Sequence, residues 1–319
     1  MKLKLLLLTA IVSLGLSINA FAQIKYISHA KALELSNRIV LVELFEEISN
    51  DEKQANDNIR DYFLPNLKVG KEVKCVSAAE INSLLKVNKE KYAVIKHNFD
   101  NYNIQSVSRN REVGTGRTAT ANTKGMTYKE SHSMGQLPHF DITLSMDSKI
   151  KDLNGFITEV DFVHYKLRPE DYTFASLIYT RLYEASLNNV SPRDYYNPER
   201  GIESLKSKTL LIDKDKADFS ADKADGYDSE FRFVDYSVIK DAILSREAGI
   251  VYPLLMWSDQ LNAAAWIIVD AETGEIYSQI TNGGVNVVAW GEFEPSLKLS
   301  KRIFKYFDSV TGNKINNRY

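Results

Sequence analysis

Two stretches, Arg38-Ile-Val-Leu-Val42 and Lys208-Thr-Leu-Leu-Ile212, decide the reading of this chain. Each sets one basic residue ahead of a short aliphatic run, the pattern of a strand buried on both faces. Each is followed by a similar order of elements, ending in a helix entered through a proline. A repeat of this kind sets the architecture before any local motif is weighed.

Outward from Arg38, Ile39 to Leu44 reads as a strand. Ser49-Asn50 ahead of Asp51-Glu52 marks a helix start, carried through Ile59, Tyr62 and Phe63 and expected to stop at Pro65. Val73 to Val76 predicts the next strand. Ser77-Ala-Ala-Glu80 matches a capping box, with Ile81, Leu84 and Leu85 at helical spacing behind it. Tyr92 to Ile95 is a third strand. Phe140 to Met146 and Phe156 to Phe162 are two more, with Asn154-Gly155 as a hairpin turn between them. Pro169-Glu-Asp171 then opens a helix carrying Phe174, Leu177, Ile178 and Leu182.

Outward from Lys208 the order returns. Phe231 to Val234 matches Val73 to Val76, Asp235 stands where Ser77 stood, and Ile250 to Leu254 matches Tyr92 to Lys96, at a constant offset of 158 residues. Trp266 to Asp270 and Glu275 to Ile280 flank a turn at Ala271-Glu-Thr-Gly274, and Pro295 is expected to open a final helix with Leu299, Ile303, Phe304 and Phe307. Residues 213 to 229 are acidic, so the first helix is expected to be shortened or lost there, and Val285 to Trp290 reads as an added strand.

The fold expected is α/β with mixed sheets: two similar β-α-β-α-β-β-β-α domains in tandem, at 23–187 and 204–319, joined by a linker at 188–203. The first carries a long polar insert at about 100–138. Ahead of them, Lys2 and Lys4, the apolar run Leu5 to Leu16 and the small residues of Ala20-Phe-Ala22 read as a signal peptide cut after Ala22. A periplasmic or secreted protein is expected, with no transmembrane segment in the mature chain.

Composition excludes more than it identifies. A formal net charge of −2 gives no global reason to bind nucleic acid. A single cysteine, Cys75, excludes an intramolecular disulfide and reads as a structural thiol. Gly114-Thr-Gly116 lacks the rest of a nucleotide fingerprint, and no G-x-S-x-G elbow is present. The aspartates from Asp213 to Asp228 fail the EF-hand pattern, because Ala217 and Asp218 stand at its fifth and sixth positions. His132, His139 and Asp141 are spaced with nothing to fix a common face, so no metal, cofactor or catalytic residue is assigned. Carboxylate pairs such as Glu46-Glu47 read as surface acids. Tyr179 and Tyr183, four residues apart, read as interior or interdomain packing.

The polar insert is the candidate binding segment. Arg109, Arg111, Arg117 and Lys124, with His132 and His139 toward its end, make a basic arm suited to an acidic protein face or an anionic glycan. The same composition also reads as a solvated excursion.

The strand–turn–strand from Trp266 to Tyr277, with the strand–helix–strand before it, resembles the amino-terminal α/β domain of the TolB translocation protein family. It is also similar to domains in lipoprotein regulators of cell-wall synthases and in curli secretion proteins, and to exported bacterial proteins with paired α/β repeats. The resemblance implies a protein-interaction module of the cell envelope and brings no catalytic residues. The function expected is therefore an exported binding or scaffold protein whose partner is another envelope protein. The alternative is a hydrolase of the same compartment acting on glycan or peptide.

Overall fold

The computed structural model describes residues 26–107, 111–113, 126–128, 131–146, 156–162, 167–195, 197–224, 226–258, 263–281 and 298–309. The first half runs α1 (His29–Leu35), β1 (Ile39–Leu44), α2 (Asn50–Asn58), β2 (Glu72–Ser77), α3 (Ala78–Asn88), β3 (Tyr92–Val107), β4 (Arg111–Val113), β5 (Met126–Tyr128), β6 (Ser131–Ser145), β7 (Phe156–Phe162) and α4 (Pro169–Leu187). After α5 (Pro192–Tyr195), the second runs α6 (Pro198–Leu205), β8 (Thr209–Asp213), β9 (Phe231–Val234), α7 (Tyr236–Ser245), β10 (Ile250–Ser258), β11 (Ala263–Asp270), β12 (Ile276–Thr281) and α8 (Lys301–Phe304). The class is mixed α/β, as expected. Among the described residues, no helix is long and apolar enough to cross a membrane.

Both halves lay their strands in the same order. In the first, β2-β1-β3 are parallel and β3-β6-β7 antiparallel; in the second, β9-β8-β10 are parallel and β10-β11-β12 antiparallel. The register agrees as well. Val40 pairs with Val73 and Ile39 with Tyr92, while Leu210 pairs with Phe231 and Thr209 with Ile250. The offset of 158 residues relates Val73 to Phe231 and Tyr92 to Ile250, whereas the opening strands, Val40 and Leu210, stand 170 residues apart. A β10–β7 contact, through Met256 and Phe162, joins the strands of both halves into a 10-stranded sheet.

The central strands are apolar on both sides because both sides are covered. Val40 and Val42 face the large core with Ala32, Leu35, Ile59, Phe63 and Ile178, while Leu41 faces Ile81 and Val94 under α3. In the second half, Leu210 and Ile212 face Leu205, Ile303 and Phe304, and Leu211 joins the large core with Ile239 and Ile243 of α7. That core therefore belongs to both halves. Fourteen of the 19 residues of α4 are buried, more than an amphipathic surface helix can hide. α7 covers part of α4, and the β11–β12 turn covers more: a Cβ at Gly274 (φ +70°) would lie 2.7 Å from Leu177 Cβ.

Several local signals act as expected. Ser49 accepts from the Glu52 N–H while Glu52 Oε2 takes the Ser49 N–H at 2.7 Å, closing a capping box. Ser77 accepts from the Glu80 N–H, one half of the capping box expected there, and Pro169 occupies the first turn of α4.

Others differ. Pro65 does not stop the helix; the chain widens into a π turn at Ile59–Phe63 and then tightens into a 3₁₀ turn at Leu64–Asn66 that contains it. Asp235 stands at the N-cap of α7, but its carboxylate pairs with Lys214 Nζ at 2.7 Å instead of capping. The stretch read as a linker forms α5 and α6, and α6 is capped by Asn197, which accepts from Glu199 and Arg200 N–H. The last helix starts at Lys301, with Ser300 as its cap; Pro295, Val285 to Trp290, Asn154-Gly155 and residues 1–25 lie outside the described residues.

Candidate functional site

β10 serves two partners in turn. Ile250 and Val251 pair with β8, and Met256 with Phe162 of β7. From Tyr252 to Leu255 no strand lies on that side among the described residues, and Pro253, which has no N–H to offer, sits in this gap. The gap opens at the carboxyl end of β8, where α4 and α7 both begin. In open α/β sheets, such a split is where side chains from separate segments meet around a crevice.

A cavity of about 110 Å³ fills the gap. Its polar wall comes from the starts of the two helices. Arg168, ahead of α4, holds Asp171 in a two-pronged pair: Nε lies 3.1 Å from Oδ2 and Nη2 3.2 Å from Oδ1, and the Arg168 backbone N–H also donates to Oδ2 at 2.9 Å. Arg168 Nε is 3.2 Å from Glu170 Oε1, which also takes a 2.6 Å hydrogen bond from Tyr236 Oη. The guanidinium lies over the Tyr236 ring, 4.8 Å from its centroid. Glu170 and Asp171 are 3% and 2% exposed, so burial on this scale depends on those partners.

Two polar atoms of the lining residues are left over. Glu170 Oε2 and Trp266 Nε1 are buried and lack a hydrogen-bond partner among the described residues. Asp213, at the end of β8, adds a third carboxylate, and the rest of the wall is largely apolar, from Phe174, Ile239, Ile243, Leu254 and Leu299. Lys216 and Arg168 reach solvent at its rim.

Electrostatics favour the charged guanidinium and the neutral phenols of the wall. Burial works against the Arg168 charge, but Asp171, Tyr236 and Glu170 outweigh it and raise its pKa. Burial pushes the Tyr236 phenol up; Arg168 opposes this and Glu170 adds to it. Tyr252 is pushed well up by burial, then by Asp171 and Glu170. Both phenols are hydrogen-bond donors at neutral pH. The site therefore offers fixed donors and acceptors around an apolar hollow.

The segment read as a binding arm is described in part. β3 and β6 continue as one antiparallel ladder from Val94–Ser145 out to Val107–Ser131. β1 reaches only Ile95 of β3, and β7 only Phe140 of β6. Beyond those points the two strands pair with each other alone among the described residues. Much of the polar insert is thus ordered ribbon, with β4 and β5 forming a second small ladder.

Arg109, Arg117 and Lys124 lie outside the described residues, and Arg111 lies in β4 opposite Tyr128. His132 pairs with Ser106 and His139 with Asp100 on β6. Seven residues of strand at about 3.3 Å each place the two histidines roughly 20 Å apart, too far to share one ion. Asp141 is committed locally, accepting from Asn98 Nδ2 at 2.7 Å and Thr143 Oγ1 at 2.8 Å. Among the described residues, no three His, Cys, Asp or Glu side chains converge as a metal site. Tyr179 is fully buried and donates to the Ile142 carbonyl; Tyr183 is 6% exposed. Cys75 is half-buried, and burial raises its thiol pKa against a smaller pull from Arg60.

The cavity residues were visible in the sequence only as a helix start. Glu170 and Asp171 read as first-turn acids, and Trp266 and Tyr252 as strand residues. The usable signal was a pair of acids beside Arg168 at the head of an otherwise buried helix, a place where acids need a partner. Family models, curated proteins and solved structures provide no match to this chain.

Proposed function

We propose that this protein is an exported binding or scaffold protein of the cell envelope, and that it holds another envelope protein through the β3–β6 ribbon. The observation that carries this is the unshared length of the ladder, Asp100–Val107 against Ser131–His139. Backbone N–H and C=O groups on the outer edges of such a ribbon are available to a third strand, a common way to take up an extended segment. The basic residues that follow Val107 in the sequence, Arg109, Arg111, Arg117 and Lys124, favour an acidic partner face. The leader-like sequence Lys2 to Ala22 supports export.

The test is a shortened ribbon. Residues 104–135 are replaced by Asn-Gly, so that Asn103 and Gln136 close a tight hairpin. Cross-linked affinity purification from the envelope, read by mass spectrometry, is expected to recover a stoichiometric partner with the full chain and to lose it with the shortened one. Equal recovery with both would remove the ribbon from the function.

A further inference from the structure

The seam cavity carries an unmet demand that packing alone does not explain. A buried acceptor without a partner costs about 1–3 kcal/mol, and more when it is charged. Here an acceptor, Glu170 Oε2, and a donor, Trp266 Nε1, are both left over on residues that line one hollow. They come from different halves of the chain, so one folding accident does not account for both. Three carboxylates (Glu170, Asp171, Asp213) face two cations (Arg168, Lys216), which leaves an excess negative charge. The start of α4 is already served by its own acids, so the complement to this charge is a cation and not an anion. The rest of the wall is apolar, and about 110 Å³ approaches the roughly 150 Å³ of a cavity that admits benzene.

We infer that the cavity binds a small primary amine that carries an oxygen acceptor at its other end. The ammonium donates to Glu170 Oε2. The apolar stem lies against Phe174, Ile239 and Ile243, and the oxygen accepts from Trp266 Nε1. The ammonium can be a free amino alcohol or a lysine side chain presented by a peptide. This site is separate from the ribbon and stands or falls independently of it.

Calorimetric titration of the full chain with 4-amino-1-butanol, n-butylamine and 1-butanol tests the inference. Saturable binding is expected for the amino alcohol, weaker binding for the amine, and none for the alcohol. Glu170→Gln should weaken the amino alcohol about tenfold or more, equivalent to about 1.4 kcal/mol. Trp266→Phe should erase its advantage over butylamine. Because Glu170→Gln touches the Arg168 and Tyr236 contacts, Leu255→Trp provides a second check: it fills the hollow from its rim and should abolish binding while the circular dichroism spectrum is kept. A parallel titration with Nα-acetyl-lysine methylamide separates the sources, since binding of this probe assigns a peptide side chain and its exclusion a free amine. Absence of saturable amine binding, equal binding of butanol, or unchanged binding in Leu255→Trp would each overturn the inference.

Discussion

Tyr236 Oη donates a 2.6 Å hydrogen bond to Glu170 Oε1 across 66 residues of sequence, tying the first turn of α7 to the first turn of α4. Together with the Arg168 guanidinium over the Tyr236 ring, it is a polar contact between the two halves. Tyr236→Phe removes the donor and leaves Glu170 buried with Arg168 alone. We expect a loss of about 1–3 kcal/mol in urea unfolding. Combined with Glu170→Gln, the effects should be non-additive by more than about 0.5 kcal/mol, as for residues in direct contact. Additive losses would mean the bond is not formed in solution.

His97 gives the fold a pH dependence. Its ring is set among Phe45, Phe63 and Tyr172, with centroids 5.7, 6.0 and 5.6 Å away, and both ring nitrogens are buried. Burial holds its pKa down at about 4, and the nearby Glu43 backbone offsets only part of that. The unfolded chain takes up this proton near pH 6.5 and the folded chain only near 4, so stability falls as pH drops through that window. The effect is about 3 kcal/mol at most. His97→Phe should flatten the difference between melts at pH 7 and pH 4.5. An unchanged slope would place the ring in water.

Three glycines separate close packing from backbone conformation. A Cβ at Gly201 would fall on the Tyr277 carbonyl, where α6 lies against β12, so Gly201→Ala should cost several kcal/mol or unfold the second half. Gly274→Ala adds a contact with Leu177 to an unfavourable φ of +70° and should rank next. Gly249 has φ +81° with open space around it, and Gly249→Ala should cost only about 1–2 kcal/mol. Thermal melts give the order, and a large loss at Gly249 would refute it.

Asp270 organises the second half's hairpin. Lys208 Nζ lies 2.9 Å from its Oδ2, Tyr277 Oη donates to the same oxygen at 3.0 Å, and Glu272 N–H, Thr273 N–H and Thr273 Oγ1 donate to Oδ1. Burial alone would raise its pKa, but Lys208, Thr273 and Tyr277 bring it below the usual carboxylate value. Its stabilising effect is therefore present above the ordinary aspartate pKa and is lost as pH falls through the lower folded value. Asp270→Ala should lose about 3 kcal/mol by chemical denaturation, since Lys208 is left largely buried without its carboxylate. A loss no larger than that of an exposed pair such as Lys206–Glu203 would show the lysine escaping to water.

How far the fold could be read depended on where burial left a pattern. Ile39–Leu44, Phe156–Phe162 and Phe231–Val234 have the bounds the sequence predicts; the first is a nearly continuous apolar run, and the other two set polar residues between apolar ones, the period of a strand. The ribbon was missed beyond Ile95, because its ladder is satisfied by its own two strands and the polar run Asp100 to Gln105 keeps no apolar period. α1 and α6 were missed because seven and eight residues give too few turns for a period; Ser28 and Asn197 as caps were the available signs.

The sequence by itself located the strands that pack against the cores and the starts of α2, α3, α4 and α7, since these follow from side-chain pattern and local hydrogen bonding; β4, β5, α1, α5 and α6 were not read from it. Only the tertiary structure decided that Glu170, Tyr236 and Trp266 share one hollow. That choice follows from β10 parting from β8 after Val251 and meeting β7 at Met256, a long-range pairing no local pattern encodes. Glu170 is an ordinary first-turn acid until α7 closes over it; the packing of the second half on the first makes it a buried charge with one oxygen unserved.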